Sequence, residues 1–139
     1  MIKKILVPID MAHTERSPAM IVQAKEILHP TEGEITLLHV IQEIPPYVTV
    51  EIHADIDAKA VADSESYLNS MIKEFDLPAS TKVEVRKGNP FHEILNVARE
   101  GKADLIIIAS HQPGLSDYLL GSVAGKVVRH SICSVMVLR

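Results

Sequence analysis

The chain has 139 residues, of which 47% are hydrophobic, and a net charge of −4 with histidine neutral; that is material for one domain, residues 1–139, with a core of its own. No apolar run approaches a membrane span, and Met1-Ile2-Lys3-Lys4 leads into a strand-like run and not a leader peptide, so a cytoplasmic protein with no membrane partner is expected. The absence of a basic block, the scarcity of aromatics and the single cysteine, Cys133, argue against a nucleic-acid partner, a disulfide framework and a thiolate metal cluster.

Ile2 to Asp10 reads as the first strand, with Ile5, Leu6, Val7 and Ile9 buried and Pro8 near its end, where a missing N–H is tolerable. Asp10 then stands at the strand's carboxyl tip, the side on which open α/β sheets form their ligand crevice, and is a candidate for a ribose hydroxyl or a metal-bound water; a local turn is the equal alternative. Ser17-Pro18 predicts a helix start, with Ser17 as cap and Met20, Ile21, Ala24, Ile27 and Leu28 facing inward. Residues 30–33 stop that helix. Glu34 to Val40 is the second strand, and its end brings the Val40 backbone near the tip that Asp10 marks.

Residues 42–55 lose periodicity around Pro45-Pro46-Tyr47 and read as a loop or flap. A second helix is expected from about Asp57 to Phe75, with Val61, Leu68, Met71, Ile72 and Phe75 inward. Thr81 to Lys87 alternates apolar and charged residues, the pattern of an edge strand with one solvated face. Gly88-Asn89-Pro90 opens a third helix whose stripe is Phe91, Ile94, Leu95 and Ala98, and Gly101 ends it.

Leu105 to Ala109 is an unbroken apolar run, as in a strand buried on both faces. A polar, turn-forming stretch follows from Ser110 to Gly114, then Gly121-Ser122 at the start of a helix carrying Val123, Ala124, Val127 and Val128. A helix N-terminus has unpaired amides and the positive end of the dipole, so Gly121-Ser122 is a natural anion seat, although a plain helix entry has the same appearance. Gly121 to Val127 imitates a phosphate loop, but it is one residue short, lacks the final hydroxyl and lies inside the helical pattern. Ser134 to Leu138 is a short apolar fifth strand, either an edge that pairs with another copy or a covered strand. Five strands alternating with helices make a doubly wound parallel sheet.

Val7-Pro8-Ile9-Asp10, Leu38-His39-Val40, Ile108-Ala109-Ser110-His111 and Leu120-Gly121-Ser122, each at a strand tip or helix start, resemble the universal stress protein family over Ile2 to Arg139. Ala109-Ser110-His111 with Pro113, the Tyr118 to Ser122 run and Val127-Val128-Arg129-His130 are similar to its small single-domain F and G types. The resemblance implies a three-layer α/β/α, Rossmann-like fold of the adenine nucleotide hydrolase-like kind with sheet order 3-2-1-4-5. It also implies a regulatory role in stress response, a homodimer through Ser134 to Leu138, and ATP (or ADP or AMP), with or without Mg, between the tips of strands one and four.

Carried onto this chain, the resemblance puts Pro8, Ile9 and Asp10 beside adenosine, with Asp10 also near nucleotide-bound Mg, and the Val40 backbone at the adenine. Ala109, Ser110, His111 and Gln112 form the loop, while Gly121, Ser122 and the Val123 amide hold phosphate. Ala109 and Gln112 stand where the family pattern has glycines, and the spacer to Gly121 is one residue short. Alanine and glutamine there can crowd the site, or Gln112 can donate its amide to phosphate.

No nucleophile elbow or paired-carboxylate motif is present, so slow ATP hydrolysis or autophosphorylation is the most the enzyme reading supports. Receiver-domain and flavodoxin-like readings lack their acidic cluster and their phosphate loop. The rival is a dimeric, stress-related interaction module that does not bind nucleotide. Among the histidines, His39 fits a packed or hydrogen-bonded strand position, His111 either a phosphate partner or a turn imidazole, and His130 the helix dipole.

Overall fold

Apolar runs alternating with amphipathic stretches produce the predicted order of elements in the computed structural model, which describes residues 1–43, 50–110 and 120–139, the side chains of 50–56 excepted. The strands are β1 (Lys4–Pro8), β2 (Glu34–Ile41), β3 (Lys82–Lys87), β4 (Leu105–Ala109) and β5 (Ser134–Leu138). The helices are α1 (Ser17–Ile27), α2 (Val50–Glu74), α3 (Pro90–Glu100) and α4 (Ser122–His130), with a 3-10 turn at Thr14–Arg16 ahead of α1. All strand pairs are parallel, in the order β3-β2-β1-β4-β5.

The two-residue period of a strand splits its side chains between two cores. Ile5, Val7, Ile9, Ile35, Leu37, Leu105 and Ile107 pack with Met20, Ile21 and Ala24 of α1 and Leu68 and Met71 of α2. Leu6, Leu38, Ile106 and Ile108 pack with Ile94, Val97 and Ala98 of α3 and Ala124 and Val127 of α4. The sheet is thus the middle of three layers, and β1 and β4, buried on both faces, carry its most continuous apolar runs.

The two edges differ in chemistry. On β3, Val83 and Val85 join the first core, while Glu84 and Arg86 take the other face; Arg86 also pairs with Glu100 at 2.6 Å and Glu93 at 3.7 Å on α3. Along β5 the pattern is half-buried and apolar, and Ile132 just before it is 82% exposed. Both terminal strands of the sheet therefore stand at edges, as the alternation in one and the apolar run in the other allow.

Two local expectations are corrected. Helix α2 starts at Val50, so 50–55 is helical; Glu51, Ala54 and, further on, Ala58, Lys59 and Ala60 are strong helix formers that extend it past the expected start at Asp57. Gln42 and Glu43 are irregular as expected, and 44–49 lie outside the described residues. Ser17 is not a cap: the 3-10 turn makes Arg16 the N-cap, already in helical conformation, and Ser17 is fully buried with no partner for its hydroxyl among the described residues. Val128 is 44% exposed, because the buried stripe of α4 runs through Ala124 and Val127. On α2 the inner stripe also contains Ser64, whose hydroxyl donates to the Ala60 carbonyl at 2.7 Å.

At the amino end of the sheet, Asp104 joins β4 to the chain start. One carboxylate oxygen accepts the backbone N–H groups of Lys4 (2.8 Å) and Lys3 (3.0 Å), and these bonds hold the carboxyl below its ordinary value of 3.8. A carboxyl lowered by folding stabilises the fold above its unfolded value and loses that contribution as pH falls through the folded one. Unfolding free energy is therefore expected to fall more steeply below roughly pH 4 in the wild type than in Asp104→Asn. Identical acid limbs in urea titrations would show that the clamp contributes nothing.

Candidate functional site

From β1 the sheet continues to β2 on one side and from β4 to β5 on the other, so the strand order reverses between β1 and β4. The crossovers on the two sides leave in opposite directions at such a point and open a crevice at the carboxyl ends of the strands. A cleft of about 920 Å³ lies there, lined from β1, β2, β4, the loop into α1, and the starts of α3 and α4. Its size is near the top of the roughly 300–1,000 Å³ of ligand clefts.

Pro8 ends β1, and the next residue, Ile9, is buried and donates its N–H to the Leu38 carbonyl at 2.7 Å. His39 Nδ1 lies 2.8 Å from the Ile9 carbonyl oxygen, which fastens the tips of β1 and β2 together. The hydrogen-bonded role expected of His39 is the one it has. Asp10 leaves the sheet in a turn: its Oδ1 accepts the Ala12 N–H at 2.9 Å and its carbonyl accepts the His13 N–H at 3.0 Å. The local turn and the cleft position coexist, and the second carboxylate oxygen of Asp10 has no partner among the described residues.

On the opposite wall Gly121 is the N-cap of α4, and no side chain among the described residues caps the helix. Its first turn carries no acidic residue. The amides at this end are those a helix leaves unpaired, so the wall is electropositive without a charged side chain. Val40 closes the β2 side and Ala109 the β4 side.

Of the residues named from sequence, Pro8, Ile9, Asp10, Val40, Ala109, Gly121, Ser122 and Val123 all line this one cleft. Ser110 lies beside it with its N–H donated to the Leu138 carbonyl at 2.7 Å, an extension of the β4–β5 ladder. His111 and Gln112 lie outside the described residues. The cleft also includes residues that sequence reasoning missed: Met11, His13, Arg16 and Met20 on the α1 side, and Pro90 and Ile94 on α3. Arg16 was within reach, since the Ser17-Pro18 signal places it at the end of the loop on the carboxyl side of the sheet.

Among the described residues no group of three or more His, Cys, Asp or Glu could hold a metal ion. Asp10 is a single carboxylate, which suits a shared contact to a cation carried by phosphates better than a site of its own. A second cavity, about 680 Å³, lies toward the other end of the sheet beside Lys4, Thr36, Lys82 and α3. The guanidinium there, Arg86, is already met by Glu84, Glu93 and Glu100.

A model of the universal stress protein family matches residues 1–139. Universal stress protein G of Escherichia coli O157:H7 is 34% identical over 146 residues, covering 100% of both chains. Among solved structures, hypothetical protein MJ0577 matches with TM-score 0.85 and 30% identity over 99% of this chain and 96% of that one. A universal stress protein solved in complex with cAMP has TM-score 0.71 at 18% identity, over 99% of this chain and 97% of its own. One from Archaeoglobus fulgidus in complex with dAMP has TM-score 0.68 at 20% identity, over 100% of each. Among the described residues no helix is long and apolar enough to cross a membrane.

Proposed function

Since the chain belongs to the universal stress protein family, we propose that it is an adenine-nucleotide-binding regulatory module of the cytoplasmic stress response, one domain to the chain, with hydrolysis or autophosphorylation at most slow. The observation that carries this reading is the cleft itself. Eight residues named from sequence meet there, at the switch point of the sheet, with an uncapped helix N-terminus on one wall and a carboxylate on the other.

In this reading Pro8 and Ile9 flank the adenosine, the Val40 backbone meets the adenine edge, and Asp10 takes a ribose hydroxyl or a water on Mg carried by the phosphates. Gly121, Ser122 and the Val123 amide receive phosphate, with Ala109 and Ser110 beside them and His111 and Gln112 next in the chain. The relatives solved with cAMP and dAMP support an adenine nucleotide as the ligand class. With few aromatics in the chain, the base would lie between aliphatic walls such as Ile9 and Val40 and be read by backbone groups.

Calorimetric titration of nucleotide-stripped protein with AMP, ADP and ATP, with and without magnesium, tests the proposal. Micromolar to millimolar binding is expected, and Asp10→Ala is expected to weaken it about tenfold through loss of a charge-assisted hydrogen bond. No heat at millimolar ligand would overturn the reading in favour of an interaction module without nucleotide. A homodimer through β5 belongs to the same proposal, supported by the apolar β5 edge and exposed Ile132; sedimentation equilibrium returning a monomer at every concentration would remove it. The single cysteine, free and half-buried, fits a reducing compartment, and fractionation of expressing cells checks the location.

A further inference from the structure

We infer that Arg16 is the side chain that reads the phosphate charge of a ligand in the cleft, an inference that rests on the nucleotide reading above. Among the described residues lining the cleft, Arg16 is the one lysine or arginine. It closes the 3-10 turn and stands at the N-cap of α1, half-buried, on the loop that leaves Asp10.

What distinguishes Arg16 is that no carboxylate among the described residues neutralises it. Elsewhere the semi-buried or bridging cations have partners: Arg86 has three carboxylates, Lys82 pairs with Glu34 at 3.1 Å, and Lys87 pairs with Asp57 at 3.1 Å. Lys59, Lys73, Lys102 and Arg129 have no such partner among the described residues but are exposed to water. Arg16 combines partial burial with a guanidinium that has no ion-pair partner among the described residues. Of the two carboxylates in its own loop, Glu15 lies 4.0 Å from His13 Nδ1 and Asp10 spends Oδ1 on the Ala12 N–H.

A half-buried guanidinium has lost part of its hydration without gaining an anion, so an anionic ligand recovers that energy on binding. Its fork of donors matches phosphate oxygens in a bidentate way that a lysine cannot reproduce. The uncapped start of α4 lines the same cleft. Phosphate in the cleft would thus be met by a charged side chain from the α1 entry as well as by helix amides. The α4 amides favour negative charge weakly and through geometry; Arg16 adds a full charge, which makes affinity depend on the ligand being phosphorylated at all.

The test is calorimetry with adenosine, AMP and ADP on wild type, Arg16→Gln and Arg16→Lys, with thermal midpoints recorded for each. Arg16→Gln is expected to lower AMP and ADP affinity roughly tenfold to a hundredfold, with adenosine changed less than about twofold and Arg16→Lys intermediate. Equal weakening of adenosine and ADP would make Arg16 a structural residue of the α1 entry and overturn the inference. Unchanged ADP binding would overturn it while leaving the nucleotide reading intact. Wild-type protein that binds neither adenosine nor nucleotide would overturn both.

Discussion

Ser122→Glu is expected to lower ATP affinity roughly a hundredfold while leaving the thermal midpoint unchanged or raising it. Ser122 is the first residue of α4, exposed, in a first turn with no acid and, among the described residues, no capping side chain. A carboxylate there complements the helix dipole, which stabilises by about 0.3–1 kcal/mol. The same carboxylate occupies the proposed phosphate seat. At about 5 Å from a phosphate charge and an effective dielectric near 20, repulsion is about 3 kcal/mol, or roughly a hundredfold in affinity. Opposite signs on stability and binding separate this from ordinary destabilisation. Calorimetry and a melting curve on one preparation decide it: unchanged ATP affinity would move the phosphates away from α4.

The second large effect is at the other end of β2. Gly33→Val is expected to cost about 3 kcal/mol of unfolding free energy, read as a lower urea midpoint at an unchanged slope. A Cβ on Gly33 would run into Leu28 Cγ and the His29 carbonyl oxygen. Leu28 is buried at 8% exposure, so its side chain has little room to swing aside, and the carbonyl belongs to the turn that feeds β2. Glu34, the next residue, sets the register of β2 against β1 through its N–H to the Lys3 carbonyl at 2.7 Å. The cleft is at the far tip of that strand, so the folded fraction of the variant should still bind nucleotide. A loss below about 1 kcal/mol would mean that the turn relaxes freely.

How much of this was legible in the chain differs by element. Strands β1 and β4 announce themselves because burial on both faces demands runs such as Leu105 to Ala109, and the one-sided alternation of β3 follows from Val83 and Val85 facing α2 while Glu84 and Arg86 do not. Once strands and helices alternate, their carboxyl tips share one side, so Asp10, Val40, Ala109 and Gly121 could be placed together without coordinates. Helix boundaries were less legible. Ser17-Pro18 has the composition of a cap, yet a preceding 3-10 turn shifts the helix entry back to Arg16, and such a turn has no strong composition of its own. In α3 Val97 and Leu95 are equally apolar in the sequence; only the direction of the neighbouring core makes Val97 buried and Leu95 half-buried. Arg16 went unread for a related reason. A single arginine in a loop is ordinary surface until the fold shows which groups fail to pair with it.

The contact between His39 and Ile9 decides which nitrogen of the ring remains for other partners. A carbonyl oxygen can only accept, so His39 Nδ1, 2.8 Å away, must carry the hydrogen. Of the two neutral tautomers, only the one with the lone pair on Nε2 can make this bond. His39 is among the residues that line the cleft, and of its two ring nitrogens only Nε2 is left uncommitted by the bond between strand tips.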